Sequence, residues 1–438
     1  MPRETQKSAL DRLLSIFSEV KAGEAVGVLL LTANVFLLLG TYYILKTVRE
    51  PLILSQPHGA EMKSYASAGQ VLLFLIAVPI YGLIASRFHR LRLIAYVTGF
   101  FSLNLVVFAA LGLAGVNIGI AFFLWAGVFN MMAVAQIWAF ANDLYTEEQG
   151  KRLFPIAGVG ASLGAWVGSL IAKWLFRIFD PYQLMALAAV LLLGCIALTW
   201  VIHRREGNRA PAARAHEAEQ PLDRKGGFQL LAKEPYLLQI ALLVFLMNFV
   251  NTNGEYIVSR FVSESAHALP KAEQSKFIGQ FYGDYFSWVN LLGLLIQTFA
   301  VSRLFRWFGV AGALFVLPAI GLVGYSFLAL APVLSIIRAT KILENSTDYS
   351  LNNTVRHALF LPTSREAKYK AKAATDTFFV RAGDVLSAGL VFAGANWLAL
   401  SVGNFAVINI LLVGVWLVLA YMIRRNYIRL RQSVESVA

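Results

Sequence analysis

The run AVGVLLLTANVFLLLGTYYIL, from Ala25 to Leu45, carries no charge and is long enough to cross a bilayer. About 20 apolar residues span the hydrocarbon core. Comparable runs recur near 25–48, 64–86, 92–114, 117–141, 153–176, 181–202, 235–261, 277–301, 309–330, 333–359, 373–396 and 403–424. In lipid, backbone N–H and C=O groups must be satisfied internally, and uninterrupted runs of this length do so as helices. The pattern predicts an all-α membrane protein with twelve transmembrane helices. Composition agrees: 58% of the 438 residues are hydrophobic and 14% charged, against about 25% charged in a soluble domain. Polar residues interrupt the second, eighth and tenth runs, which is tolerated only where a face lines protein or water.

The net charge of +13 would point to a polyanion partner in a soluble chain. Here the cations sit in alternate connections: Arg87 to Arg92, Lys151-Arg152, the segment 203–227, Arg303 and Arg306, Arg365 to Lys372, and the tail RRNYIRLR from Arg424. The other connections, near Gly115, Phe179 and Ser401, are very short. The positive-inside rule then places both termini in the cytoplasm and accounts for the charge without nucleic acid. Residues 1–24 lack a signal-peptide core. Their Leu10, Leu13, Leu14, Ile16 and Phe17 predict a short amphipathic helix on the cytoplasmic surface. Cys195 is the single cysteine, and none of His58, His89, His203, His216, His267 and His357 has a partner at metal-ligand spacing. No metal, cofactor or catalytic nucleophile is expected, so the chain does not read as an enzyme.

The segment His203–Gly227 is the one long polar stretch and reads as a linker. The expected organisation is a cytoplasmic segment 1–24, a six-helix half 25–202, a linker 203–234, a second six-helix half 235–424 and a basic tail 425–438. This 6+6 layout is that of a major-facilitator-type carrier, whose pseudo-symmetric halves rock around a midplane site. Tyr43-Ile-Leu-Lys46 and Tyr256-Ile-Val-Ser-Arg260 echo one another in the two halves. Gly82 to Arg92 is similar to the superfamily's G-x-x-x-D-x-x-x-R loop, with Ser86 where the Asp belongs.

Charges inside membrane helices are costly and usually functional. Lys46 and Arg49, one turn apart, share a face at the end of the first run, with Glu50 beside them. They read either as interfacial anchors that snorkel or as cations that bind phosphate or carboxylate oxygens, Arg in bidentate fashion. Tyr42 and Tyr43 precede them, as belt aromatics or as a stacking surface for a planar ring. In the seventh run Asn248, Asn251 and Glu255 recur at helical spacing, with Gly254 placed to loosen the helix. Glu255 reads as a proton site, a gating partner or a substrate contact, and a pair with Arg260 is the competing structural reading. The tenth run holds Arg338, Lys341, Glu344, Asn345 and Asp348 on one face, where Lys341 and Glu344 can neutralise each other. Lys372 is the last cation before the eleventh helix, and Arg381 and Asp384 are spaced to pair. Gly158, Gly160, Gly164 and Gly168 suit close helix packing. Gly158-Val-Gly160 lacks the ending of a phosphate loop.

Gly40-Thr-Tyr-Tyr-Ile-Leu-Lys46-Thr-Val-Arg49-Glu50 resembles the first-helix K-T-x-R-[DE] motif of the ATP/ADP translocase family. Trp138-Ala-Phe-Ala-Asn142 and Glu148 through Ala161 resemble its W-G-F-A-N and E-A-K-R-F-Y-P-L-F-G-x-G-A stretches, and Tyr349-Ser-Leu with Lys370 through Asp376 its Y-S-L and K-G-K-A-A-I-D. The resemblance implies a bacterial inner-membrane exchanger of nucleotides acting as a monomer. It carries transport-critical roles to Lys46, Glu255 and Lys372. The family's fourth-helix Glu has no counterpart: that run offers only Asn130 and Gln136. The expected substrate contacts are Lys46, Arg49, Glu255, Lys372, Tyr42, Tyr43, Asn251 and Lys341, with no partners beyond an anionic small molecule and membrane lipid. A proton-coupled carrier of another organic anion, an efflux carrier, and a non-transporting membrane sensor or scaffold are the alternatives.

Overall fold

The computed structural model describes residues 9–15, 19–85, 90–206, 227–364 and 367–435, and every regular element among them is helical. In chain order the helices are α1 (Ala9–Leu14), α2 (Ala25–Leu54), α3 (Gly59–Ala85), α4 (Arg90–Leu113), α5 (Gly119–Leu144), α6 (Glu147–Leu175), α7 (Pro181–Glu206), α8 (Gly227–Lys233) and α9 (Pro235–His267). There follow α10 (Lys271–Leu295), α11 (Val301–Ala313), α12 (Val316–Leu330), α13 (Leu334–Thr347), α14 (Asn353–Leu359), α15 (Lys372–Ala374), α16 (Val380–Asn396) and α17 (Val402–Glu435). Short π-helical segments sit at Ile296–Ala300, Asp348–Asn352, Ala367–Ala371 and Thr375–Phe379.

Among the described residues, ten helical stretches are long and apolar enough to cross a membrane. The expected ninth and tenth spans are missing from that set for physical reasons. α12 is apolar but has only 15 residues. α13 carries Arg338, Lys341 and Glu344 and passes into π-helix at Asp348. The expected eighth run continues to Ala313, bent at Gly309, whose φ of 66° is a left-handed conformation glycine adopts without strain.

The chain divides into two units. One comprises Met1–Ile53, Leu72–Glu217 and Pro270–Ser287, the other Leu54–Val71, Ala218–Leu269 and Trp288–Ala438. In the first, α2 buries Val28, Leu31, Val35 and Leu38 at helical spacing in one core with Phe122 and Phe129 of α5 and Leu184, Ala188 and Leu192 of α7. The glycine stripe of α6 meets α2. A Cβ at Gly160 would lie 2.6 Å from Thr32 Cγ2, and Gly164 and Gly168 lie against the backbone of Phe36 and Gly40. Gly158, by contrast, faces open space. This close approach fixes α2, and with it Lys46, against α6.

The start of α2 is tied down by side chains. Buried Asp11 accepts hydrogen bonds from the N–H groups of Gly23 (3.2 Å) and Ala25 (3.1 Å), satisfying donors at a helix N-terminus. Glu24 accepts from Arg152 (3.0 and 3.1 Å) and Gln149 (3.2 Å). Burial raises the Glu24 pKa, but the hydrogen bonds from Arg152, the Lys21 N–H and Gln149 outweigh it and hold the carboxyl below its ordinary value. Arg152, read from sequence as a loop cation, therefore sits within α6, which begins at a Thr146–Gln149 capping box.

Other expectations fare unevenly. Leu14 is buried as an amphipathic α1 requires, while Leu10 is exposed. Ile16, Phe17, Ser86, His89, His216 and Arg365 lie outside the described residues. So do linker residues 207–226; the linker's two ends are helical, in α7 and α8.

Candidate functional site

In the first unit, α2 runs past Pro51 to Leu54, so Lys46 and Arg49 lie within the helix rather than at its end. The two cations meet different surroundings. Half-buried Lys46 places Nζ 4.3 Å from the Phe286 ring centroid and 5.1 Å from that of Tyr43, both within cation–π range. The Tyr43 and Phe286 rings meet edge to face at 6.2 Å. Arg49 instead pairs with fully buried Glu50, Nη2 to Oε1 at 2.6 Å, and its guanidinium lies 4.3 Å from the Phe123 centroid. Its charge is thus compensated inside its own helix. Tyr42 meets Tyr43 edge to face at 5.3 Å and lies 6.5 Å from Phe129, where it borders the Phe122–Trp125–Phe129 stack of α5. Of the two tyrosines, Tyr43 is the one that joins the Lys46 cluster.

The sequence reading of the fifth and eighth runs did not single out an ion pair between them. Lys173 of α6 binds Asp284 of α10. Gly283 makes room for it: a Cβ there would come within 2.7 Å of the Lys173 backbone nitrogen. The signal was present, since each is a charge within a membrane run. Around Asp284, Phe281, Tyr282, Tyr285 and Phe286 form a continuous aromatic surface, with Phe281 and Tyr285 stacked at 6.3 Å. In the fourth run, which offers no acid, buried Trp125 stacks between Phe122 (5.3 Å) and Phe129 (5.4 Å).

In the second unit the polar faces of α9 and α13 meet. Fully buried Lys341 donates to the side chain (2.5 Å) and backbone carbonyl (3.2 Å) of Asn251. It pairs with Glu344 at 3.0 Å, as the i,i+3 spacing predicts, and lies 3.8 Å from Glu255. The Tyr325 hydroxyl donates to Glu344 (2.9 Å), and Asn345 donates to Glu255 (2.8 Å). The competing pair does not form: Arg260 binds Glu264 at 3.0 Å instead. Nor does Gly254 loosen α9, which is continuous through it. A Cβ at Gly254 would sit 2.1 Å from the Tyr325 hydroxyl and 3.1 Å from Lys341 Cδ, so the glycine makes room for the tyrosine and the lysine.

Asn248 departs from the shared face. It donates to Asp384 (2.8 Å) and to the Val380 carbonyl (2.6 Å) of α16, and Asp384 also pairs with Arg381 at 3.0 Å. Lys372 reaches Asp376 at 3.1 Å, and Arg356 binds the same carboxylate at 2.8 Å. Lys63 of α3, unremarked in the sequence, is buried and donates to Ser259 at 3.0 Å. Among the described residues, no group of His, Cys, Asp and Glu has the arrangement of a metal site.

Comparison with known proteins places these features in a family. Residues 26–343 match the Major Facilitator Superfamily, and residues 315–427 match the TLC ATP/ADP transporter family. An ADP,ATP carrier protein 1 of Chlamydia pneumoniae is 26% identical over 70% of this chain and 66% of its own length. Its namesake in Chlamydia trachomatis is 25% identical over 72% and 65%. The chain thus spans about two thirds of the length of these curated relatives. The crystal structure of nucleoside transporter NupG shares the fold, with a TM-score of 0.62 over 91% of this chain and 98% of that one at 13% identity. The chain belongs to the Major Facilitator Superfamily and is a divergent relative of its ADP,ATP carriers.

Proposed function

We propose that this chain is a secondary active transporter that exchanges anionic nucleotides of the ATP/ADP type by alternating access. In this reading it spans a bacterial inner membrane twelve times in a 6+6 arrangement, works as a monomer and has both termini in the cytoplasm. The observation that carries the proposal is Lys46 of the first-helix motif, half-buried over the rings of Phe286 and Tyr43. A half-buried cation beside aromatic rings suits a ligand with both phosphates and a planar base: charge-assisted bonds recognise the phosphates, and rings recognise the base by stacking. Tyr43 is the stacking candidate, while Arg49, held by Glu50, acts on substrate only if that pair opens. Asn251, Glu255, Lys341 and Lys372 form the second set, in which Lys341 and Glu255 couple or gate.

The test is uptake of labelled ATP into proteoliposomes loaded with ADP, other nucleotides or buffer. Uptake that requires internal nucleotide and is lost in Lys46→Ala supports exchange. Absence of uptake by folded protein under every loading overturns the nucleotide reading. One observation favours a second reading, a proton-coupled carrier of another organic anion: the chain Tyr325–Glu344–Lys341–Glu255, buried except at Glu255, has two carboxylates around one lysine. Uptake that depends steeply on an imposed pH gradient, without trans-stimulation, selects it.

A further inference from the structure

The outer faces of α12 and α13, in the second unit, enclose a groove that the substrate reading does not use. Its larger part, about 600 Å³, is lined by apolar side chains that include Ile320, Val323, Phe327, Ile336 and Leu343. A smaller part, about 440 Å³, holds Arg338 and Ser335 beside Trp288. Ala339 and Leu343 line both parts, so the two form one continuous depression. Cation and hydroxyl stand at one end, and hydrocarbon surface fills the rest.

We propose that this groove is a site for one anionic phospholipid, with an acyl chain along α12 and α13 and the headgroup phosphate on Arg338 and Ser335. Three observations select this occupant. Val323, Phe327 and Leu330 are 55%, 59% and 84% exposed on α12, so in a membrane-spanning chain this face meets acyl chains. Arg338 supplies the charge complement of a phosphate, with fork geometry suited to two oxygens. Trp288, 46% exposed beside it, is the residue type enriched at headgroup level. Close packing of α12 on α13 gives the groove a fixed floor: a Cβ at Gly324 would lie 2.6 Å from Thr340 Oγ1. The opposite, buried face of α13 carries Lys341 and Glu344, so the lipid would bear on the helix that holds the polar cluster. The site does not depend on which substrate is carried.

Native mass spectrometry of the purified full chain, titrated with dioleoyl phosphatidylglycerol or dioleoyl phosphatidylcholine, tests this. Wild type is expected to retain the anionic lipid about tenfold better, the scale of one charge-assisted contact. Arg338→Gln reduces that preference to parity and Arg338→Lys largely keeps it. Ala339→Trp, which fills the groove, weakens retention of both lipids. Undiminished anionic preference in Arg338→Gln overturns the proposal. So does unchanged retention in Ala339→Trp, or a dimer that the groove variants dissociate while lipid binding stays the same.

Discussion

Lys46 and Lys341 are both lysines inside a membrane protein, yet their surroundings differ in kind. Lys46 is half-buried and lies over two aromatic rings. Lys341 has no exposed surface and is ringed by Glu344, Glu255 and Asn251. A ring face holds a cation by about 0.5–2 kcal/mol. Buried Glu344, with part-exposed Glu255 beside it, holds the lysine far more firmly, because removing the lysine strands Glu344 in low dielectric. The first arrangement suits a group that must engage and release an anion. The second suits a group that fixes α9 against α13 or moves only with a change of partner. Sequence distance from a charged neighbour does not distinguish the two; the third dimension does.

The largest expected effect is on the sealed lysine. Lys341→Ala should destabilise the protein by about 3–5 kcal/mol, since it leaves Glu344 buried and uncompensated. Lys341→Ala combined with Glu344→Gln should recover part of that loss. Thermal unfolding of single and double variants checks this, and additive losses would show that the pair is not coupled. Next is Lys46→Ala, expected to lower nucleotide exchange by roughly 10- to 100-fold, the scale of a lost charge-assisted contact. Its unfolding temperature should stay near wild type, and a collapse in stability would erase the contrast with Lys341. Smaller again is Phe286→Leu, which removes a ring face worth about 1 kcal/mol. It should raise KM severalfold at nearly unchanged maximal rate, and Phe286→Tyr should restore it.

The smallest effect lies outside both clusters. Glu24 is held below its ordinary pKa by its hydrogen bonds, so its contribution is present above the unfolded carboxylate range and is lost as pH falls through the lowered folded value. Unfolding measured on the acid side should therefore show a shallower fall for Glu24→Gln than for wild type.

Local spacing made much of this structure legible. The apolar runs mark most of the long helices. Spacing of three put Lys341 with Glu344 and Arg381 with Asp384, and four-residue glycine spacing marked close packing of α6, though not its partner α2. Three features were not legible, for separate reasons. The Lys173–Asp284 pair joins residues 111 apart in sequence, and only the folded topology unites them. Nothing local in the sequence marks Phe286, which α10 brings to Lys46. The π-helical turn at Asp348–Asn352 falls within a run that periodicity reads as regular helix.

The contrast between the two lysines is tested most directly by ATP-dependent thermal stabilisation of wild type, Lys46→Ala and Lys341→Met. The account predicts that ATP raises the unfolding temperature of wild type and fails to raise that of Lys46→Ala, whose unliganded temperature is unchanged. Lys341→Met should start lower and still respond to ATP. An undiminished ATP response in Lys46→Ala would contradict the assignment of the first-helix lysine to the substrate.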